Sequence, residues 1–171
     1  MQEPSVNHYE RAFENWLLDH RVDYVRADEH KRVGPNPRSV KNFDFLLYLQ
    51  PNRRIIVEVK GRTFRGMSLA PMTGLESWVT LDDVESLQTW QQVLGSDHEA
   101  VFVFAYRVKN VDVDLDGHEA FSFGSDRYVF FYVRLEDYRG GMRRRSPKWR
   151  TVTLPAQVFR RHAGELTSLL Q

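Results

Sequence analysis

Phe43-Asp44-Phe45-Leu46-Leu47-Tyr48-Leu49 and Ile55-Ile56-Val57-Glu58-Val59-Lys60-Gly61 are the two stretches on which the fold of this chain turns. Both are apolar and rich in β-branched and aromatic residues. The polar Gln50-Pro51-Asn52-Arg53-Arg54 between them carries turn formers, so the pair predicts a β-hairpin. A strand of Ile and Val belongs in a sheet centre, where a charge is expensive. Yet the second run holds Glu58 and Lys60, side by side on one face because strand side chains alternate. Asp44 adds an acid within the first run. A paired Glu58–Lys60 with Asp44 as a local cap is the bland account of these charges. A divalent-cation site is the functional one, since hard cations take carboxylate and carbonyl oxygens and leave room for water.

The hairpin sets a geometric condition on that second account. Opposed residues of an antiparallel pair project to the same face, and their numbers share one sum. Asp44 joins Glu58 and Lys60 only if that sum is even: 102 sets it against Glu58 and 104 against Lys60. A two-residue turn at Pro51-Asn52 gives 103 and sends Asp44 to the wrong face. The metal reading therefore requires a turn of odd length or a β-bulge.

Tyr9-Glu10-Arg11-Ala12-Phe13, Val25-Arg26-Ala27, Asp44, Glu58-Val59-Lys60 and Trp78-Val79-Thr80-Leu81-Asp82-Asp83-Val84 together resemble the PD-(D/E)xK nuclease superfamily, the archaeal Holliday-junction resolvases in particular. The likeness spans roughly residues 7 to 107. It implies an α/β restriction-endonuclease-like fold with an αβββαβ core and a central mixed sheet. It also implies Asp44 and Glu58 as metal ligands, Lys60 as catalytic lysine and a helical glutamate in support. Phe43 stands where the family often has proline, a residue that shapes the strand and does no chemistry.

Composition bounds the rest. The 171 residues suit a single domain over 1–171, with the core at about 7–108 and a C-terminal β-hairpin and helix extension at about 109–171. Hydrophobic residues at 42% and aromatic ones at 13% describe a globular chain. A formal charge of +1 means that any polyanion must be met by a local patch. With no cysteine there are no disulfides or thiolate metal sites, which suits a cytoplasmic location. No secretory signal and no membrane-length apolar run is read.

Residues 8–20 predict an amphipathic helix on Tyr9, Ala12, Phe13, Trp16 and Leu17, with Asn7 as N-cap and Glu10 as its capping-box partner. At about 100° per residue, Glu10 lies roughly 60° from Phe13 at the stripe centre and Glu14 about 100° away, which makes Glu10 the better helical acid for the site. A strand is expected over 22–27, then a loop over 28–40 whose His30, Lys31, Arg32 and Arg38 are candidates to meet phosphates. Residues 61–74 predict a long loop whose Arg62 and Arg65 are further candidates for phosphate contact. Thr80 with Asp83 forms a capping box for a helix over 81–94, buried through Leu81, Val84, Leu87, Trp90, Val93 and Leu94 and ended by Gly95. Gln88 and Gln92 lie on its polar edge.

Residues 101–108 predict a core strand parallel to an earlier one. Asp112, Asp114 and Asp116 lack the downstream glycine and glutamate of a calcium loop, so 109–117 is an acidic turn or edge. Strands follow at 121–123 and 128–135, then the acid-free basic segment 139–150, then a strand over 149–154 and a helix opened by Pro155. Within the segment, Arg143, Arg144, Arg145, Lys148 and Arg150 surround Trp149, a composition suited to phosphate backbones.

These readings predict a divalent-metal-dependent endonuclease acting on DNA; structure specificity is one option, and junction, flap, duplex, single strand and RNA stay open as substrates. Asp44, Glu58 and the Val59 carbonyl are the expected ligands of Mg²⁺ or Mn²⁺, and Lys60 and Glu10 their catalytic companions. DNA is the expected partner, a homodimer is compatible with it, and no membrane is involved. The alternatives are a nucleic-acid-binding module of the same fold without hydrolysis, and a protein-interaction scaffold.

Overall fold

The computed structural model describes residues 7–27 and 41–171. One mixed sheet runs β1-β2-β3-β5-β7-β10, with β6 added beside β7. Its strands are β1 (Asp23–Arg26), β2 (Phe45–Leu49), β3 (Arg53–Phe64), β5 (His98–Val108), β6 (Phe121–Phe123), β7 (Asp126–Arg134) and β10 (Gly164–Glu165). A second sheet, β4-β9-β8, is made of β4 (Val79–Thr80), β9 (Thr151–Thr153) and β8 (Arg143–Ser146). The helices are α1 (His8–Asp19), α2 (Leu81–Leu94), α3 (Leu135–Gly141), α4 (Ala156–His162) and α5 (Leu166–Leu169).

Both faces of the main sheet are covered, which explains the unbroken apolar runs of β3 and β5. α1 brings Ala12, Phe13, Trp16 and Leu17 onto Phe45, Leu47, Val57 and Val59. On the opposite face Val84 and Leu87 of α2, Tyr138 of α3 and Phe159 of α4 pack on Ile56, Phe102, Phe104 and Tyr106. β3 and β5 pair in parallel over eleven positions, from Arg54–His98 to Phe64–Val108, as the α2 crossover requires.

Several expectations are corrected. β3 does not stop at Gly61: Arg62, Thr63 and Phe64 continue it because β5 offers Tyr106, Arg107 and Val108 as partners. Val93 is 69% exposed, not buried, since nine helical residues carry it about 180° from Val84. The basic segment begins inside a helix that was not foreseen, α3, anchored by buried Leu135 and Tyr138. Trp149 and Arg150 sit in the turn between β8 and β9, and only Thr151–Thr153 is strand. The capping residue Asn7 accepts from the Tyr9 N–H at 2.9 Å, while the Glu10 carboxylate turns to Arg26. The stretch after Leu169 is short, and α5 and β10 extend the C-terminus beyond the single helix expected.

The C-terminal part is woven into the core. β7 lies against β5 over seven pairs, from Val101–Arg134 to Arg107–Tyr128. β9 pairs with β4 at the entry to α2. The buried Tyr138 hydroxyl donates to the carbonyls of Ser77 (2.6 Å) and Val152 (3.2 Å), tying α3 to both.

Candidate active site

The hairpin register decides which acids meet. β2 and β3 pair as Phe45–Val57, Leu46–Ile56, Leu47–Ile55, Tyr48–Arg54 and Leu49–Arg53, so every pair sums to 102. Gln50-Pro51-Asn52 is a three-residue turn, odd in length. The regular pairing ends at Phe45–Val57; just beyond it the Asp44 N–H donates to the Val57 carbonyl at 3.0 Å, and the Asp44 carboxyl comes to lie beside that of Glu58. The burial pattern enforces the register, because a one-residue slip would move Phe45, Leu47 and Leu49 out of the core.

β3 runs on from Glu58 to Phe64 past the end of β2, and among the described residues no strand pairs with that edge. Asp44 fills the first gap: its Oδ2 accepts from the Val59 N–H at 2.7 Å. Asp44 and Glu58 are both buried, and their carboxyls are hydrogen-bonded to each other. Burial, then the facing Asp44 charge and that hydrogen bond, push the Glu58 carboxyl well above the usual carboxylate range. Lys60 pulls it back only in part.

Lys60, two residues on and on the same face, is paired with Asp83 Oδ2 at 2.7 Å. Lys41 holds the other oxygen of that carboxylate, also at 2.7 Å. Asp83 closes the capping box of α2 as well: the Thr80 N–H donates to it at 3.1 Å, and its own N–H donates to Thr80 Oγ1 at 3.0 Å. At 1% exposure, burial alone would raise the Asp83 pKa, but Lys60 and Lys41 reverse this and hold it far below the usual range. The sequence revealed Asp83 as a cap and nothing of its second role. The signal was a second acid in the first turn, which gains meaning only when α2 lies over β3.

Glu10 is buried on the α1 side of the sheet, where Arg26 holds it at 3.3 Å and reaches Glu14 at 3.4 Å. The structure thus brings Asp44, Glu58 and Lys60 together and sets Glu10 with Arg26. An open cleft of about 580 Å³ lies beside this part of β3, lined by Tyr9 of α1 and by Val59, Lys60, Gly61 and Arg62. Gly61 admits the Tyr9 ring, for a Cβ there would stand 2.0 Å from it.

A search among solved structures finds this arrangement of elements elsewhere. The Holliday junction resolvase Hjc of the archaeal hyperthermophile Archaeoglobus fulgidus superposes with a TM-score of 0.57, over 97% of this chain and 100% of that one, at 15% sequence identity. The fold is restriction-endonuclease-like. No protein-family model matches the sequence, and no curated protein matches it. The mixed sheet with α1 on one face and α2 on the other is the expected αβββαβ core.

On this restriction-endonuclease-like frame the basic residues divide into two groups. Arg62 follows Lys60 on the same strand face and is largely engaged by the protein: it donates to the Gly61 and Trp78 carbonyls and lies 3.9 Å over the Trp78 ring. Burial lowers its pKa from the usual guanidinium value. Arg65, Arg143, Arg144, Arg145, Lys148 and Arg150 are exposed. Arg145 also reaches the Trp78 ring, at 4.9 Å. His30, Lys31, Arg32 and Arg38 lie outside the described residues.

The carboxyl pair also answers whether a divalent ion fits. Among the described residues no group of three or more His, Cys, Asp or Glu side chains converges to hold a metal. Two converging carboxyls, one of them driven toward its protonated form by burial and by the other, are what a hard cation would relieve. Mg²⁺ in particular binds through one or two carboxylates and keeps several waters. Among the described residues no helix is long and apolar enough to cross a membrane.

Proposed function

We propose that this protein is a divalent-metal-dependent endonuclease that hydrolyses phosphodiester bonds in DNA. The observation that carries the reading is the meeting of the Asp44 and Glu58 carboxyls at the mouth of an odd-length hairpin, with Lys60 two residues on along the same strand face. The fold shared with a Holliday junction resolvase supports it.

Asp44 and Glu58 would hold Mg²⁺ or Mn²⁺ with the Val59 carbonyl. A bound divalent ion supplies Lewis acidity and a water of lowered pKa. Lys60, once released from Asp83, would orient or deprotonate the attacking water, or stabilise charge on the phosphate. Asp83 keeps the ammonium close to that position beforehand. Glu10, held by Arg26, would support the site from the α1 side. Arg65, Arg143, Arg144, Arg145, Lys148 and Arg150 would contact DNA phosphates, with Arg62 steadying the strand entry through Trp78. Cutting both strands of a branched substrate needs two such sites, so we infer a homodimer on that substrate, checked by sedimentation with and without DNA.

The test is cleavage of labelled junction, flap and duplex DNA with Mg²⁺, Mn²⁺ or EDTA. Cleavage that needs the metal and disappears in Asp44→Asn is expected. Tight DNA binding with no cleavage under any metal would leave a binding module of the same fold.

A further inference from the structure

Trp149 is 69% exposed at the tip of the turn between β8 and β9. This largely exposed indole stands in a stretch without an acid from Arg139 to Arg150. Lys148 Nζ lies 5.2 Å from its ring centre. The turn is held in place. The Trp149 N–H donates to Ser146 Oγ at 3.3 Å, and Arg150 adopts a left-handed backbone, φ 49°, that reverses the chain. The Arg150 carbonyl then accepts from the Leu81 N–H at 2.9 Å. Leu81 opens α2, the helix whose Asp83 holds Lys60, so the backbone of the turn that carries Trp149 is tied to the first turn beside the candidate site. Trp78, with Arg62 and Arg145 over its ring, lies between them along the chain path into β4.

Charge complementarity selects a polyanion as the occupant of this face. The indoles narrow it further. A duplex presents phosphates and sugars at its surface and hides base faces in its stack, so guanidinium and ammonium groups suffice to hold it. An aromatic face among those cations gains from a polyanion only when bases are unstacked and available to lie on it. We propose that the β8–β9 turn is a stacking platform, centred on Trp149, for unpaired nucleotides of a DNA substrate, and that the cleaved site lies next to such nucleotides. The proposal rests on the nucleic-acid reading above and names the feature that the turn would read: unpaired nucleotides, frayed or single-stranded, in preference to closed duplex.

The test is binding of equal-length single-stranded, splayed-arm and blunt duplex DNA in EDTA, followed by fluorescence anisotropy, so that cleavage plays no part. The parent protein should favour the first two. Trp149→Ala should weaken these by about ten-fold and leave the blunt duplex almost unchanged, while Trp149→Phe keeps most of the preference. Arg143, Arg144 and Arg145 replaced by Ala together should weaken all three DNAs alike and flatten their salt dependence. Equal binding of all three DNAs by the parent, or an equal loss on all three in Trp149→Ala, overturns the platform and leaves the nuclease reading standing. Binding to none of them overturns both. A Trp149→Ala variant that changes the sedimentation mass and not the affinity shows the face to be a contact between copies, which also overturns the platform.

Discussion

Glu58 is an acid that its own fold drives toward the protonated form. Folding raises its pKa, so the folded state releases this proton less readily than the unfolded chain does. Its contribution to stability therefore worsens as pH rises above about 4.5. Glu58→Gln keeps the shape, donates an amide N–H to Asp44 and removes the charge. The metal-free variant should melt a few degrees higher at pH 7, a gain of about 1 kcal/mol, while losing metal-dependent cleavage. Calorimetric melting in EDTA at pH 5 and pH 8 checks the sign: the gain grows with pH. A variant that melts lower than the parent at pH 8 removes the strained-acid reading.

Asp83 has the opposite sign. Lys60 and Lys41 hold its folded pKa below the unfolded one, so its stabilisation is complete above about pH 4 and fades as pH falls below that. Asp83→Asn keeps a capping oxygen and strands a half-buried Lys60. A loss of about 3 kcal/mol is expected near neutrality. Urea unfolding of parent and variant should draw together as pH falls from about 4 toward 2, and a gap that ignores pH would mean that the cap, not the charge, carries the effect.

At the scale of elements, the cleft beside β3 depends on α1 seating Tyr9 over Gly61. Gly61→Ala forces that ring away, because the added carbon would stand 2.0 Å from it. A cost of about 1–3 kcal/mol is expected, together with reduced cleavage, since the same ring lines the cleft. Thermal melts of Gly61→Ala and of Gly61→Ala with Tyr9→Ala separate the causes: the second change should restore stability lost to the clash. A double variant less stable than Gly61→Ala would place the strain elsewhere. The three-residue turn is the other element-scale device, for its odd length is what lets one hairpin carry both acids on one face.

Across the whole molecule, the last third is structural as much as it is additional. Removing residues after 108 strips β7 from β5 and exposes Val101, Val103 and Ala105, all now fully buried. A fragment ending there should fail to give a cooperative melt, and a soluble, two-state fragment would show the extension to be dispensable. Tyr138→Phe tests the same tie more gently. It leaves the Ser77 and Val152 carbonyls without their donor, at about 1–2 kcal/mol, read from urea unfolding.

Local pattern by itself determined the hairpin, the capped helix over 81–94 and the alternation that sets Glu58 and Lys60 on one face, because each depends on neighbours within a few residues. It also left a parity condition on Asp44 that awaited only the length of one turn. Tertiary structure alone decided that Lys60 meets Asp83, that Arg62 spends its donors on the protein, that Glu10 goes to Arg26, and that β7 completes the core sheet. These pairings join residues 16 to over 30 positions apart. No periodicity encodes them, because they arise when two separately patterned elements are pressed onto the two faces of one sheet and their leftover charges must find partners out of water.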